Sequence, residues 1–254
     1  MQRYFVPPSA WSADQIEMVG DDAHHLIKVL RATPGYRFVA SDGVSRDVLA
    51  EVQHMDKGIV IAAIVEELPR NNEPQTEIWI AQSLPKADKM DMVIQKCTEL
   101  GAYGFIPFSS ARTIVQYDSK KEQRRMERWR KIAKEAAEQA GRNRLPEIKK
   151  PCTADELIAQ ADSFHLVLFC YEQERKFGIK ARVRDWKKQS LIPLDSARLL
   201  LIVGPEGGFT EQEAVRFAAS GFLSTGLGRR VLRTETAAMV ALACVLYELD
   251  EMEG

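Results

Sequence analysis

The chain has 254 residues, 45% hydrophobic and 28% charged, with 35 Lys and Arg against 36 Asp and Glu for a formal charge of −1. This composition excludes a disordered chain and a disulfide-stapled miniprotein, and it leaves room for one large domain or two smaller ones of roughly 100–150 residues each. Near-neutrality argues against a polyanionic partner only if the charge is evenly spread, and it is not.

The four cysteines (Cys97, Cys152, Cys170, Cys244) form no C-x-x-C pair, and the four histidines (His24, His25, His54, His165) stand at no zinc-finger spacing. No metal site is expected, and each cysteine, lying in an apolar or helical run, reads as a small buried hydrophobe. The start, MQRYFVPPSAW, has no apolar stretch behind basic residues. No run approaches the roughly eighteen apolar residues of a membrane span, so a cytoplasmic, reduced protein without a membrane partner is expected.

Residues 1–73 alternate short apolar runs with turn signals: RYFV before Pro7-Pro8, YRFVA before Ser41-Asp42-Gly43, DVLAEV, and IVIAAIVEEL after Lys57-Gly58. This pattern predicts a small β-rich barrel or sandwich. Within it, DDAHHLIKVLR sets Ala23, Leu26, Ile27 and Leu30 at helical spacing before Thr33-Pro34-Gly35, predicting a short amphipathic helix. His24 and His25 open that helix, with no nucleophile beside them, and read as structural or RNA-contacting groups. The polar stretch PRNNEPQTE at 69–77 reads as an interdomain linker.

From Glu77 the pattern becomes strand, helix, strand: EIWIAQSL, DKMDMVIQKCTEL with Met90, Val93, Ile94, Cys97 and Leu100 on one face, then GFIPF. This is a βαβ unit, which implies a parallel sheet with a right-handed crossover. Further strands are expected at HLVLFC (165–170), RLLLIV (198–203) and FLSTGL (222–227), with a largely buried last helix at 236–249. Residues 74–254 are therefore expected to form one α/β domain.

Between Arg112 and Lys150 lie 13 basic and 6 acidic side chains, a local charge of +7 that leaves −8 for the rest; residues 1–73 alone carry 7 basic against 11 acidic. Met126, Trp129, Ala133, Ala136 and Ala140 repeat at helical spacing, so the cations of this block fan over the outer side of one long helix. Two readings stand: a solvated face with ion pairs along the helix, or a nucleic-acid footprint.

In LLLIVGPEGGFTEQEA a buried strand enters Gly204-Pro205-Glu206-Gly207-Gly208, and Thr210 and Glu213 then take the T-x-x-E spacing of a capping box. No Lys-Ser/Thr follows, so this is not a P-loop, and G-x-G-x-x-G is not matched. Alone, the loop is as consistent with a tight turn as with a ligand cradle. A second glycine loop, LGRRVLRTETA at 227–237, again joins a short strand to a helix. Two such loops at neighbouring strand ends would make one pocket, with Leu227, Val231 and Leu232 for the faces of a purine and Arg229, Arg230 and Arg233 at its mouth.

The motifs RYFV, HHLIKVLRATPG, LPKADKMDMVIQKCTELG, PFSSART, KEAAEQAGRNRLPEI, LIVGPEGGFTEQE and LGRRVLRTETAAMVAL occur in this order over the whole chain. In them the chain closely resembles the ribosomal RNA small-subunit methyltransferase E family of the SPOUT superfamily. The resemblance implies a PUA-like RNA-binding β-barrel at 1–73 and an α/β methyltransferase domain at 74–254, whose parallel sheet carries a deep trefoil knot. It implies S-adenosylmethionine as cofactor, a homodimer, and methylation of uridine N3 in 16S rRNA on the small ribosomal subunit. It places the cofactor against Tyr171, Gly204, Glu206, Gly207, Gly208, Leu227, Gly228, Arg230, Val231, Leu232, Arg233 and Thr236. RNA contacts are expected at Arg3, His25, Arg31, Lys86, Arg112, Gln139 and Arg142.

Removal of the imide proton of uracil calls for a base or a positive field. Glu172, Glu206 and Glu235 are the candidate bases, each with a structural alternative, and Arg233 is placed to stabilise the anion. Two other functions fit parts of the pattern: a ribose 2′-O-methyltransferase of the same superfamily, against which HHLIKVLR and EAAEQAGRN argue, and a noncatalytic ribosome-assembly factor, for which paired glycine loops would be superfluous.

Overall fold

The computed structural model describes residues 1–114 and 118–252. Contacts divide them into two compact units, Met1–Glu73 with Ala137–Leu145, and Pro74–Ala136 with Pro146–Gly254.

The first unit is built on a five-stranded sheet of β1 (Arg3–Phe5), β2 (Gln15–Met18), β3 (Arg37–Ser41), β4 (Asp47–Asp56) and β5 (Ile59–Glu67), ordered β1-β3-β4-β5-β2. All pairings are antiparallel except β1 with β3. The alternation read from the sequence holds, with Phe38, Ala40, Val48, Ala50, Val52, Val60 and Ala62 buried on one face. The short strand β2 has no counterpart in the sequence reading, because its alternation amounts to only Ile16 and Met18. The expected helix is α1 (Gly20–His24), which passes directly into a π-helical turn, His25–Val29. The wider turn keeps Ala23 and Leu26 buried, and it ends at Arg31 in left-handed conformation with φ 51°.

Ala137–Leu145 groups with this unit through polar contacts that link distant parts of the chain. Asp47, whose side chain is wholly buried, accepts from Ser41 Oγ (2.8 Å), Asn143 Nδ2 (2.5 Å) and the Arg3 guanidinium. Glu73 accepts from Arg142 Nη2 (2.5 Å) and from the Asn143 amide (2.8 Å).

The second unit is a three-layer α/β sandwich. Its strands are β6 (Glu77–Ser83), β7 (Gly104–Ser109), β8 (Glu147–Ile148), β9 (Cys152–Thr153), β10 (Leu166–Cys170), β11 (Arg198–Val203) and β12 (Leu223–Thr225). They run parallel in the order β12-β10-β11-β6-β7-β8, with β9 also on β7. Residues 166–170 and 198–203 read as unbroken apolar runs because both faces are covered. Leu199, Leu201 and Val203 face α2 (Lys89–Leu100), α3 (Ser119–Gln139), α5 (Ile179–Gln189) and α7 (Thr234–Glu248), whereas Leu200 and Ile202 face α4 (Ala154–Gln160) and α6 (Glu211–Ala219).

The capping box at Thr210 and Glu213 forms as its spacing predicts, with Glu213 N donating to Thr210 Oγ1 (3.2 Å) and Thr210 N to Glu213 Oε2 (2.9 Å). Of the cysteines only Cys97 is fully buried: Cys152 and Cys170 are half-buried and Cys244 is exposed on α7. The reading of all four as core residues fails because Cys244 stands on a side of α7 that is exposed, beside Tyr247.

Candidate active site and cationic rim

At the carboxyl ends of β10, β11 and β12 the strands release three loops, 171–178, 204–210 and 226–233, which enclose a cavity of about 320 Å³. Gly208 takes φ 65°, and a Cβ there would stand 3.6 Å from the Glu172 carboxyl, so loops 171–178 and 204–210 face each other across the cavity. A Cβ on Gly226 would lie 2.5 Å from the Glu174 carbonyl oxygen, an approach only glycine permits. Glu174 fixes its own loop: Oε2 accepts from Ser224 Oγ (2.6 Å), and Oε1 from the amides of Lys176 (2.7 Å) and Phe177 (3.1 Å). The Ser224 hydrogen bond in particular, outweighing partial burial, lowers its carboxyl below the ordinary range.

The two glycine loops are bolted together from below by Gln82, fully buried at the end of β6. Its Nε2 donates to Thr234 Oγ1 (2.9 Å), Ser83 O (2.9 Å) and Gly204 O (3.3 Å), while Thr234 Oγ1 itself donates to Gly204 O (2.6 Å). Two of those acceptors are carbonyls, so the amide orientation is set, and Gln82 Oε1 is left buried without a partner. Beside it, Ser83, Ser110 and Thr113 join hydroxyls at 2.8–3.2 Å and fix the loop carrying Arg112, whose guanidinium donates to Gly207 O.

The three candidate carboxylates differ in what already holds them. Glu206 accepts from Lys89 Nζ (2.6 Å) and from the Lys86 amide (3.0 Å). Partial burial alone would raise its pKa, but these hydrogen bonds and the Lys89 charge hold it below the ordinary range. Glu235, in the first turn of α7, is 8% exposed, has Oε2 without a partner and lies outside the cavity lining. Glu172 is exposed, lines the cavity and has no side-chain hydrogen bond or ion pair among the described residues.

Ten of the twelve sequence-named cofactor residues line the cavity: Tyr171, Gly204, Glu206, Gly208, Leu227, Gly228, Arg230, Val231, Leu232 and Arg233. Gly207 and Thr236 do not. Lys89, Cys170, Arg175 and Thr234 also line it and were not singled out. Burial pushes the Cys170 thiol up to about 12, with Cys244 adding to the rise, so it is a neutral wall and not a nucleophile.

The residues expected to contact RNA fall into two groups. Arg3 and Arg142 (3% exposed side chain) already hold Asp47 and Glu73, and His25 Nδ1 lies 2.7 Å from the Tyr4 hydroxyl. Burial above all raises the pKa of that phenol and keeps it protonated, and the pair engages Nδ1 of the ring. Arg31, Lys86, Arg112 and Gln139 are exposed. On α3, both readings of the charge apply. Arg128 pairs with Asp91 (2.6 Å), Arg125 with Asp88 (3.4 Å) and Lys121 with Asp118 (3.6 Å), while Arg124 and Arg130 make no ion pair among the described residues.

Known proteins share this arrangement. Family models for an RNA methyltransferase domain and an RNA methyltransferase PUA domain match residues 71–246 and 20–65. The Ribosomal RNA small subunit methyltransferase E of Bacillus subtilis (strain 168) is 36% identical over 100% of this chain and 99% of its own. This chain belongs to that family. Another member of the methyltransferase E family, from Synechocystis, is 34% identical over 95% of this chain and 76% of its own. The crystal structure of the Neisseria gonorrhoeae methyltransferase E bound to S-adenosyl methionine superposes with TM-score 0.84 at 30% identity, covering 97% of each chain. A putative methyltransferase from Legionella pneumophila in complex with SAM gives TM-score 0.84 at 32% identity, covering 96% of each chain. Among the described residues no group of three or more His, Cys, Asp or Glu is placed to hold a metal, and no helix is long and apolar enough to cross a membrane.

Proposed function

We propose that this chain methylates N3 of a specific uridine in 16S rRNA with S-adenosylmethionine, acting in the cytoplasm on the assembled small ribosomal subunit. The observation that carries the reading is the junction of a glycine-loop cradle with an unpaired carboxylate, Glu172, and unpaired arginines in one cavity. The cradle suits the cofactor: Gly204, Gly208 and Gly226 keep backbone open to it, and Leu227 and Leu232 offer apolar walls for an adenine. When bound, S-adenosylmethionine supplies an electrophilic methyl group whose carbon–sulfur bond breaks, leaving its electron pair on sulfur, as the carbon–nitrogen bond forms.

The chain's own work is to position the base and manage one proton. Glu172 accepts the N3 proton, because it faces the cavity with no competing partner. Glu206 holds loop 204–210 to the Lys86–Lys89 segment, a role its lowered pKa suits better than proton abstraction. Arg233, exposed at the start of α7, stabilises charge developing on the uracil carbonyls. Arg31, Lys86, Arg112 and Gln139 are the exposed residues available for RNA. The deep trefoil knot belongs to the same reading.

The homodimer expected from the resemblance finds support on α7, whose residues 237–247 are all apolar or aromatic. Among the described residues Val240 and Ala243 are partly exposed and Cys244 and Tyr247 (73% exposed) fully so, a stripe of the kind that a helix meeting a second copy requires. The deciding experiment is mass spectrometry of small-subunit rRNA from a strain lacking this protein. Loss of 3-methyluridine, restored by the wild-type chain, is expected, whereas its persistence refutes the reading.

A further inference from the structure

The cavity carries more positive charge than its proposed cofactor accounts for. Lys89, Arg175, Arg230 and Arg233 line it against Glu172 and Glu206, an excess of two positive charges. Lys89 is paired with Glu206, but Arg175, Arg230 and Arg233 are all exposed and make no side-chain hydrogen bond or ion pair among the described residues. S-adenosylmethionine brings a sulfonium, an ammonium and one carboxylate, and so adds a further positive charge. Its single carboxylate satisfies one guanidinium fork at most. With the cofactor in place, at least two arginines are still without an anion in a concave site where like charges repel strongly.

Arg175 is on a built loop and not a loose surface segment. The neighbouring Glu174 ties the loop to Ser224 and to the amides of Lys176 and Phe177, and the contact of the Glu174 carbonyl oxygen with Gly226 fixes it against the second glycine loop. The arginine is therefore presented at the cavity with little of the ordering cost that a mobile loop would add to binding.

We infer that Arg175, together with Arg230, forms a subsite for the RNA phosphates flanking the target nucleotide while Arg233 faces the uracil, and that filling it completes the charge balance of the cofactor pocket. The inference rests on the S-adenosylmethionine and RNA reading of the same cavity. Two consequences follow from linkage. RNA raises the affinity for S-adenosylmethionine by about fivefold or more, the low end of typical coupling between sites, and the cofactor raises RNA affinity equally. S-adenosylhomocysteine, which lacks the sulfonium charge, binds the RNA-free protein more tightly than S-adenosylmethionine does, and RNA narrows that gap.

The test uses the full chain with small ribosomal subunits purified from a strain lacking it, so that the target uridine is unmodified, and calorimetry of both cofactor forms with and without them. Wild-type protein is compared with Arg175→Ala and Arg175→Lys. In the alanine variant RNA affinity is expected to fall about tenfold, and the slope of log K against log salt to shrink by about 0.7, the value of one phosphate contact on a single strand. Affinity for S-adenosylhomocysteine should stay within about twofold, the RNA-dependent gain for S-adenosylmethionine should diminish, and lysine should restore the slope. Unchanged RNA affinity and slope in the alanine variant, or a loss confined to cofactor affinity, would overturn the inference. Wild-type protein that binds neither cofactor form overturns the proposed function itself, a result distinguishable from either.

Discussion

Helix α3 and the rim of the cavity are both arginine-rich, yet they differ in what their charges face. On α3, Asp88 and Asp91 of the neighbouring helix region hold Arg125 and Arg128, Asp118 holds Lys121, and Lys131 and Lys134 are engaged as well, which leaves Arg124 and Arg130 exposed without an ion pair among the described residues but outside the cavity lining. At the rim, Arg175, Arg230 and Arg233 have no such partners among the described residues and border a cavity. A local charge of +7 marks a stretch of sequence, not the place where positive charge is available. Availability depends on which acids the fold brings within about 4 Å, and exposed pairs on a helix contribute little to stability or attraction.

The largest effect should come from the rim. Glu172→Gln is expected to lower kcat by a hundredfold or more, the order of a lost general base, with S-adenosylhomocysteine affinity unchanged by calorimetry. Full turnover in that variant would leave the rim a binding surface only, and the contrast with α3 would lose its catalytic half. Gly226→Ala should come next, since the new methyl group meets the Glu174 carbonyl oxygen at 2.5 Å. Cofactor affinity should fall at least tenfold, about 1.4 kcal/mol, as loop 171–178 is pushed off its bonds. Wild-type affinity would show that the loop yields freely and is not preorganised.

The helix sharpens the comparison from the other side. Asp91 is buried and accepts from both Trp129 Nε1 (3.1 Å) and Arg128 Nε (2.7 Å), so Asp91→Ala removes both of these hydrogen bonds, with an expected loss of ~1–3 kcal/mol in denaturant unfolding. Arg128→Ala should cost under about 1 kcal/mol and change RNA affinity less than twofold. A larger loss of RNA affinity there would restore the helix as the main contact surface.

The smallest effect concerns pH. Glu206 has a folded-state pKa below its unfolded one, so its hold on Lys89 and the Lys86 amide is complete above about pH 4.3 and is lost as pH falls through the lowered value. Cofactor affinity should weaken over that window, and in Lys89→Met the weakening should begin at higher pH. Identical acid profiles would show that Lys89 does not set the Glu206 pKa.

Legibility in the sequence followed the range of the interactions. The run from β11 through Gly204–Gly208 to the capped α6 was readable because strand, glycines, Thr210 and Glu213 are local signals. Even so, Glu213 Oε1 also accepts from the Ala111 amide (2.7 Å), 102 residues away, which no local pattern encodes. Arg175 escaped notice for the same reason: it reaches the cavity only because β10 lies between β11 and β12. The commitment of Arg3 and Arg142 depends on Asp47 and Glu73, 44 and 69 residues distant, and it is these long-range acids that decide which arginines remain available. The π-helical turn at 25–29 keeps the apolar spacing of an ordinary helix, so the pattern gave its location but not its width.

The one-sided amide of Gln82 sets stability and activity at odds at a single position. Its buried Oε1 carries a standing penalty that an apolar side chain of similar volume would remove, while its Nε2 secures Thr234 and Gly204. Methionine or leucine there would remove that penalty, but it would also take the Nε2 donor from Ser83 O, Gly204 O and Thr234 Oγ1, and the cradle would hold its cofactor less firmly.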